Sequence, residues 1–433
     1  MNRFLRPISL VAAVAAVVAL SGCGGSPQGA TTLDKNADVT ITWWTGQDEG
    51  AHKLLEGLAA EFEKDHPNVT IDLSPGASST EELLQKMLAS FSGYNYPDIS
   101  YAFGSWSSQL EGSNRTLDIT DRVQDDALGW DEFSDSARQT VQPTGGKTIG
   151  FPAIVDNLSL IYNTTVFDAA GVDYPTEDWT WADFRAAAKE ISDPATNTYG
   201  YGYSVQGTEE TTWQFWPHLW QAGGDILAED GKSVAFDSEA GVKALTFLRD
   251  MAVTDKSVYL DQTDTKAGQL FAADRIGMIT SGPWQLYDLK TAGTDYGVVQ
   301  LPGTNGDHQT VSGPDIWALF DHNDENREYW SFEFTKWLTS SEQDERWNVE
   351  IGNLPLRTSE LESDAFAKQV KTYPGLEIMA ANSLNAKTAR PTIKGYVWIS
   401  ESIGHAISEV LQGKGDPKSA LEAAADEANG QLK

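Results

Sequence analysis

The spacing of apolar residues changes several times along this chain, and each change marks a different kind of segment. The first run is continuous. Arg3 and Arg6 precede Ile8 to Leu20, a stretch made mostly of Ala, Val and Leu. It falls short of the roughly 20 apolar residues that a membrane-spanning helix needs. A basic start, an apolar core and small residues behind it predict a secretion signal over 1–22. Residues 23–37 are rich in Gly, Ser, Thr, Gln and Asn and carry too little apolar surface to fold, which predicts a flexible tether. Strict alternation then begins: Val39, Ile41 and Trp43 against polar neighbours predict a strand. Leu54, Leu55, Leu58 and Phe62 recur at helical spacing, and His66-Pro67-Asn68 ends that helix. Val69, Ile71 and Leu73 predict a second strand, Glu81 to Phe91 a second helix, and Ile99 to Phe103 a third strand.

This βαβαβ order predicts an α/β fold with a mainly parallel sheet covered by helices. Ligands of such sheets bind beyond the C-terminal ends of the strands. Trp44, Gln47 and Gly104-Ser105-Trp106 stand at those ends. A second α/β region follows. Leu158 to Tyr162 and Ile276 to Ile279 read as strands, and Thr180 caps a helix with Asp183 three residues on. Val242 to Met251, Asp324 to Leu338, Ile399 to Leu411 and Pro417 to Leu432 read as helices. About 395 residues beyond the tether are too many for one core and suit two lobes.

Composition adds three constraints. Cys23 is the only cysteine, so no intrachain disulfide can form. The net charge of −32 repels nucleic acid and anionic lipid headgroups. The six histidines are scattered without metal-ligand spacing, so neither a metal nor a cofactor is expected. Asp321 begins a sequence like a calcium loop, but Asn326 and Phe332 stand where glycine and glutamate belong.

Fifteen tryptophans are present, and most belong to a core of this size. Trp44, Trp213, Trp216, Trp284, Trp317 and Trp398 lie outside helical stripes, at strand ends or beside Gly and Pro. A flat ring suits the C–H face of a pyranose, while Asp, Asn and Arg bond its hydroxyls. Such scattered aromatics point to carbohydrate.

Leu20-Ser21-Gly22-Cys23 resembles the lipobox of bacterial lipoproteins, in which the cysteine sulfur carries a diacylglyceryl group. Two acyl chains suffice for stable anchoring. Further segments resemble, in order, the family 1 extracellular solute-binding proteins of ABC importers, mainly the sugar-binding branch. They are Ile41-Thr-Trp-Trp-Thr-Gly, Tyr96-Pro-Asp-Ile-Ser, Gly150-Phe-Pro-Ala-Ile-Val-Asp-Asn, Gly277-Met-Ile-Thr-Ser-Gly-Pro-Trp, Ser312-Gly-Pro-Asp-Ile-Trp-Ala and Gly352-Asn-Leu-Pro-Leu-Arg.

The resemblance implies a two-lobed periplasmic-binding-protein-like fold of class II with a hinge. Lobe I would take 38–153 plus about 301–350, and lobe II about 154–300 plus 351–433. A sugar, an oligosaccharide above all, would be held between the lobes of a monomer and passed to the permease subunits of an ABC importer. The protein would be extracytoplasmic and lipid-anchored to the bacterial cell membrane, and not an enzyme.

The resemblance also suggests contacts. Asp156 or Asn157 would be the acid or amide of the crossover segment, unless it caps the hinge. Trp284 would stack on sugar, Gly313 and Asp315 would face the cleft, and Arg390 would bond hydroxyls. Gln47 and Asp48 occupy a loop where relatives often place an acid. Trp44, Ser105 and Trp317 complete the candidate set. Phe103-Gly104-Ser105 departs from relatives that carry an acid or amide after the third strand. A glycerol-phosphate diester or a peptide is the alternative ligand, with Arg357 and Arg390 as cleft cations. A secreted glycoside hydrolase and an adhesin are more distant alternatives.

If Cys23 carries the anchor, Cys23→Ala releases the protein from membranes, as fractionation and immunoblotting would read. A variant that still pellets with membranes refutes the anchor.

Overall fold

The computed structural model describes residues 32–47, 49–77, 80–143 and 146–432. The signal-like run, Cys23 and Asp48 lie outside them. Two five-stranded sheets form the two lobes. The first has the order β2-β1-β3-β10-β4, built from β1 (Val39–Trp44), β2 (Val69–Ser74), β3 (Ile99–Ala102), β4 (Gly150–Ile154) and β10 (Asp315–Leu319). Strand β1 runs parallel to β2 and β3, as the βαβαβ pattern predicts. Strand β10 arrives from far along the chain and pairs antiparallel with β3 and β4. The second sheet has the order β7-β6-β8-β5-β9, from β5 (Ser159–Asn163), β6 (Tyr199–Ser204), β7 (Val258–Asp261), β8 (Ile276–Ser281) and β9 (Tyr296–Val299). The fold is therefore α/β and two-lobed.

Periodicity explains the packing of the first lobe. Val39, Ile41 and Trp43 turn inward; the helix Glu325–Leu338 packs on β1 with Phe334, and the helix Glu49–Asp65 packs beside it on β2 with Leu55, Leu58 and Phe62 in the same core. Trp43 sits in the middle, with the rings of Trp317 and Phe334 each 5.2 Å away edge-on. Edge-to-face pairs of this kind add to burial. Trp317 thus belongs to the core, where the Tyr101 ring also meets it edge-on at 5.6 Å. Trp44 faces the other way, under the Lys86 ammonium at 4.1 Å.

Helix signals hold well. Thr180 and Asp183 form the expected capping box. The carboxylate of Asp324 caps the helix Glu325–Leu338. Leu33 and Asp34, assigned to the tether by composition, donate backbone N–H groups to Glu325 and Asn326 at that same helix start. The helix Glu209–Gln221 went unread because twelve of its residues are buried. A helix buried all round has no polar face and hence no period to detect. Trp213 and Trp216 lie in it, and Trp398 lies in the helix Tyr396–Leu411; none of the three is at a strand end.

The chain crosses between lobes at paired segments. Asn157 bridges Ser312, and Val155 bridges Leu354, both antiparallel. Leu158 N–H donates to the Val311 carbonyl at 3.2 Å. These crossings form the hinge.

Asp98 ties the first lobe together. It is fully buried and accepts from the backbone N–H and hydroxyl of Thr42, both at 2.8 Å. Arg327 grips it through two nitrogens, at 2.8 and 2.7 Å. Breaking one side of a buried ion pair costs about 3–5 kcal/mol. Asp98→Ala should therefore lower unfolding stability by about 3 kcal/mol, measured by urea denaturation. A change below about 1 kcal/mol would mean that water replaces the carboxylate.

Candidate functional site

A cavity of about 290 Å³ lies between the two sheets and against the hinge. Gln47, Tyr101 and Phe103 reach it from the first lobe, and Asp156, Gly313 and Asp315 from the crossings. Glu209, Trp213, Trp284 and Arg390 reach it from the second lobe. A more polar chamber of about 390 Å³ shares Gln47, Phe103, Glu210 and Trp284 with it. That chamber adds Ser204, Gln206, Gln214, Thr263 and Gln285.

The second-lobe wall is a buried network. Arg390 donates to Glu209 at 2.6 Å, and its guanidinium lies 4.3 Å from the Trp213 ring centre. Tyr396 and Ser400 donate their hydroxyls to the same carboxylate at 2.8 and 2.6 Å. A buried ion pair with its remaining lone pairs satisfied is rigid. Gly313 passes directly against this wall. A Cβ there would come within 2.4 Å of the Trp213 ring and 2.7 Å of Arg390. Only glycine lets the crossing strand approach so closely. Trp284 opens the helix Trp284–Ala292, and its ring covers Gly282, where a Cβ would stand 2.0 Å away.

The hinge wall is acidic. Asp156 accepts the Gly313 N–H at 3.1 Å, and Asp315 accepts a short hydrogen bond from the Tyr101 hydroxyl. Burial raises the Asp315 carboxyl to about 7, against the opposing pull of Tyr101 and Arg390. Burial and the nearby Asp315 push the Asp156 carboxyl well above the usual carboxylate range.

Of the residues named from sequence, Gln47, Asp156, Trp284, Gly313, Asp315 and Arg390 come together here. Trp44 and Trp317 do not line the cavity. Ser105 lines a separate cavity of about 730 Å³ that shares Arg390. Asn157 is fully buried, and its amide donates to the Met379 carbonyl at 2.8 Å and the Ser383 hydroxyl at 3.0 Å. It ties the hinge to the helix Leu376–Asn382 and does not line the cavity. Arg357 is no cleft cation: it is buried in the first lobe, 4.2 Å from the Phe133 ring centre. Tyr101, Phe103, Glu209 and Glu210 were missed as site residues. Nothing in their spacing distinguishes them from core or surface positions.

Residues 57–376 match the family described as bacterial extracellular solute-binding protein. The chain belongs to that family. Among solved structures, this solute-binding protein is similar to the cyclic alpha-maltosyl-1,6-maltose binding protein from Arthrobacter globiformis. The two share 26% identity and a TM-score of 0.75, over 92% of this chain and 100% of that one. A solute-binding protein from Thermotoga lettingae, bound with alpha-D-tagatose, has the same fold at 24% identity and a TM-score of 0.81, over 91% and 100% of the two chains. The sn-glycerol-3-phosphate-binding periplasmic protein UgpB of Brucella melitensis is 22% identical over 412 residues, 92% of this chain and 94% of that one. The family consists of binding proteins, not enzymes.

The raised Asp315 carboxyl has a thermodynamic signature. Between about pH 4 and pH 7 the unfolded chain releases this proton while the folded chain keeps it. The Asp315 contribution to stability is therefore complete at low pH and is lost as pH rises through that window. Asp315→Asn should flatten this part of the stability-against-pH curve of the ligand-free protein, measured by urea denaturation. An unchanged curve would contradict the raised carboxyl.

Proposed function

We propose that this solute-binding protein captures an oligosaccharide between its lobes and hands it to the permease of an ABC importer. It would do so as a monomer held to the outer face of the cell membrane through lipidated Cys23. The observation that carries the sugar is the composition of the cleft: Phe103, Trp213 and Trp284 offer flat apolar rings beside carboxyl and amide groups. Rings suit pyranose faces, and the polar groups suit hydroxyls. The shared lining of the two chambers suits a ligand longer than one sugar unit. Closure of the lobes about the paired crossings would then be the signal the permease reads.

The UgpB likeness supports a glycerol-phosphate ligand as a second reading. Phosphate favours free Arg and Lys. Arg390 is the one cation lining the 290 Å³ cavity among the described residues, and it is paired with Glu209. The sugar reading is therefore preferred.

A thermal-shift panel of mono- and oligosaccharides, glycerol-phosphate esters and short peptides tests this. Ligand at about 100 times its Kd stabilises the folded state by about 2.7 kcal/mol. Trp284→Ala should weaken binding of the best saccharide by about 2 kcal/mol with the fold intact. Shifts only with phosphate esters or peptides would overturn the sugar, and unchanged affinity in the variant would remove Trp284 as a stacking platform.

A further inference from the structure

The more polar chamber of the cleft is organised around one carboxylate. Asp264 lines it from the turn after β7, together with Ser204 and Gln206 from the end of β6. The Asp264 backbone is left-handed, with φ at 60°. Few residues other than glycine adopt that region, and Asp is among those that tolerate it. A second acid fixes the turn. Asp261, 1% exposed, accepts the N–H and hydroxyl of Thr263 at 2.8 and 2.9 Å and the Ala267 N–H at 2.6 Å. The turn is thereby closed onto the start of the helix Lys266–Ala272.

Both Asp264 oxygens are engaged from within the protein. One accepts a short hydrogen bond from the Ser204 hydroxyl, and the other accepts the Thr208 hydroxyl at 2.8 Å. A hydroxyl has a single proton to give. The Ser204 proton goes to Asp264, so the Thr211 hydroxyl, 3.0 Å from Ser204, donates to it. Thr211 in turn accepts the Gly207 N–H at 3.0 Å. The series runs one way, from Gly207 to Thr211, to Ser204, to the Asp264 carboxylate. Bonds aligned like this polarise and strengthen one another away from water, and Thr211 is fully buried.

This series spans the junction where β6 turns into the helix Glu209–Gln221. Thr208 stands at the N-cap of that helix, where a threonine hydroxyl ordinarily accepts from the helix backbone. It makes no capping bond and serves Asp264 instead. The first turns of the helix supply Glu209, Glu210 and Trp213 to the inner cavity and Gln214 to the outer chamber. A left-handed Asp and a lost cap each cost stability locally. Their common result is a fixed cleft wall, and strain held in place by surrounding bonds is characteristic of sites that are organised in advance.

We propose that Asp264 is a positioning residue of the ligand site. Through Ser204, Thr208 and Thr211 it holds the start of the helix Glu209–Gln221, and with it Gln206 and Gln214, in the geometry that reads the distal units of an oligosaccharide. Asp264 acts through these hydroxyls and not by contact with ligand. The proposal rests on the oligosaccharide reading and names the residue that sets its preference for longer chains.

Isothermal titration calorimetry of the mature chain tests it, with the maltose and cellobiose series from disaccharide to pentasaccharide. Asp264→Gly removes the carboxylate and lets the backbone keep its left-handed path without strain. The loss of affinity should grow with ligand length and reach about tenfold for the pentasaccharide, the scale of leaving one or two side chains to be ordered on binding. Asp264→Asn tolerates the same backbone and keeps one acceptor oxygen, so it should recover part of the loss. Thr208→Val removes only the hydroxyl, should show the same length dependence, and carries the test if Asp264→Gly does not fold. A purely structural role would instead lower the melting temperature and leave the affinities of the folded protein unchanged. Unchanged affinity, or an equal loss at every length, overturns the proposal and leaves the oligosaccharide reading standing. Binding of none of these saccharides to the unaltered protein overturns both.

Discussion

The antiparallel pairing of the two crossings, 155–158 against 311–314, is the constraint on which the rest of this molecule depends. Each lobe has its own sheet and core, so neither determines where the other stands. The pairing does. The Asp156 carbonyl accepts from the Gly313 N–H at 3.3 Å and from the Ser312 hydroxyl at 2.9 Å. Asn157 then fixes the same strand to the helix Leu376–Asn382, and Asn382 returns a bond to the Leu158 carbonyl at 2.8 Å. Backbone groups that cross between lobes have no sheet to join. These local bonds satisfy them, as buried backbone requires.

One consequence is that hinge and cavity share residues. The Asp156 main chain holds the hinge while its carboxyl lines the cleft. Gly313 joins the hinge pairing through its N–H and, lacking a Cβ, leaves room for Trp213 and Arg390. A ligand touching these groups touches the pivot itself. Binding and lobe angle are then coupled without any long path between them, which is what hinge closure around a ligand needs.

The cleft also shows how buried charge can be kept at acceptable cost. Glu209 is satisfied by Arg390, Tyr396 and Ser400, so this part of the wall is organised before any ligand arrives. Such preorganisation reduces the ordering cost of binding. Asp156 and Asp315 follow the other course. Burial disfavours their charge and raises both carboxyls above the usual carboxylate range.

Local signals in the sequence determined a good deal. Alternation marked β1 and β2, the Thr180–Asp183 box marked a helix start, and ordered segments pointed to the two-lobed family. These features depend on near neighbours, which period and caps record. Gln47, Asp156, Trp284, Gly313, Asp315 and Arg390 were also legible, because their segments resemble those of relatives. Tertiary structure alone decided the rest. Trp317 is core because the Trp43 and Tyr101 rings pack against it, and Asn157 is hinge because the helix Leu376–Asn382 stands beside it. Glu209 and Trp213 became wall residues only when a helix buried on every side packed behind Arg390, some 180 residues later in the chain. A single sequence carries no period for such a helix and no record of a contact across that distance, since both arise from the packing of segments that the chain brings together only on folding.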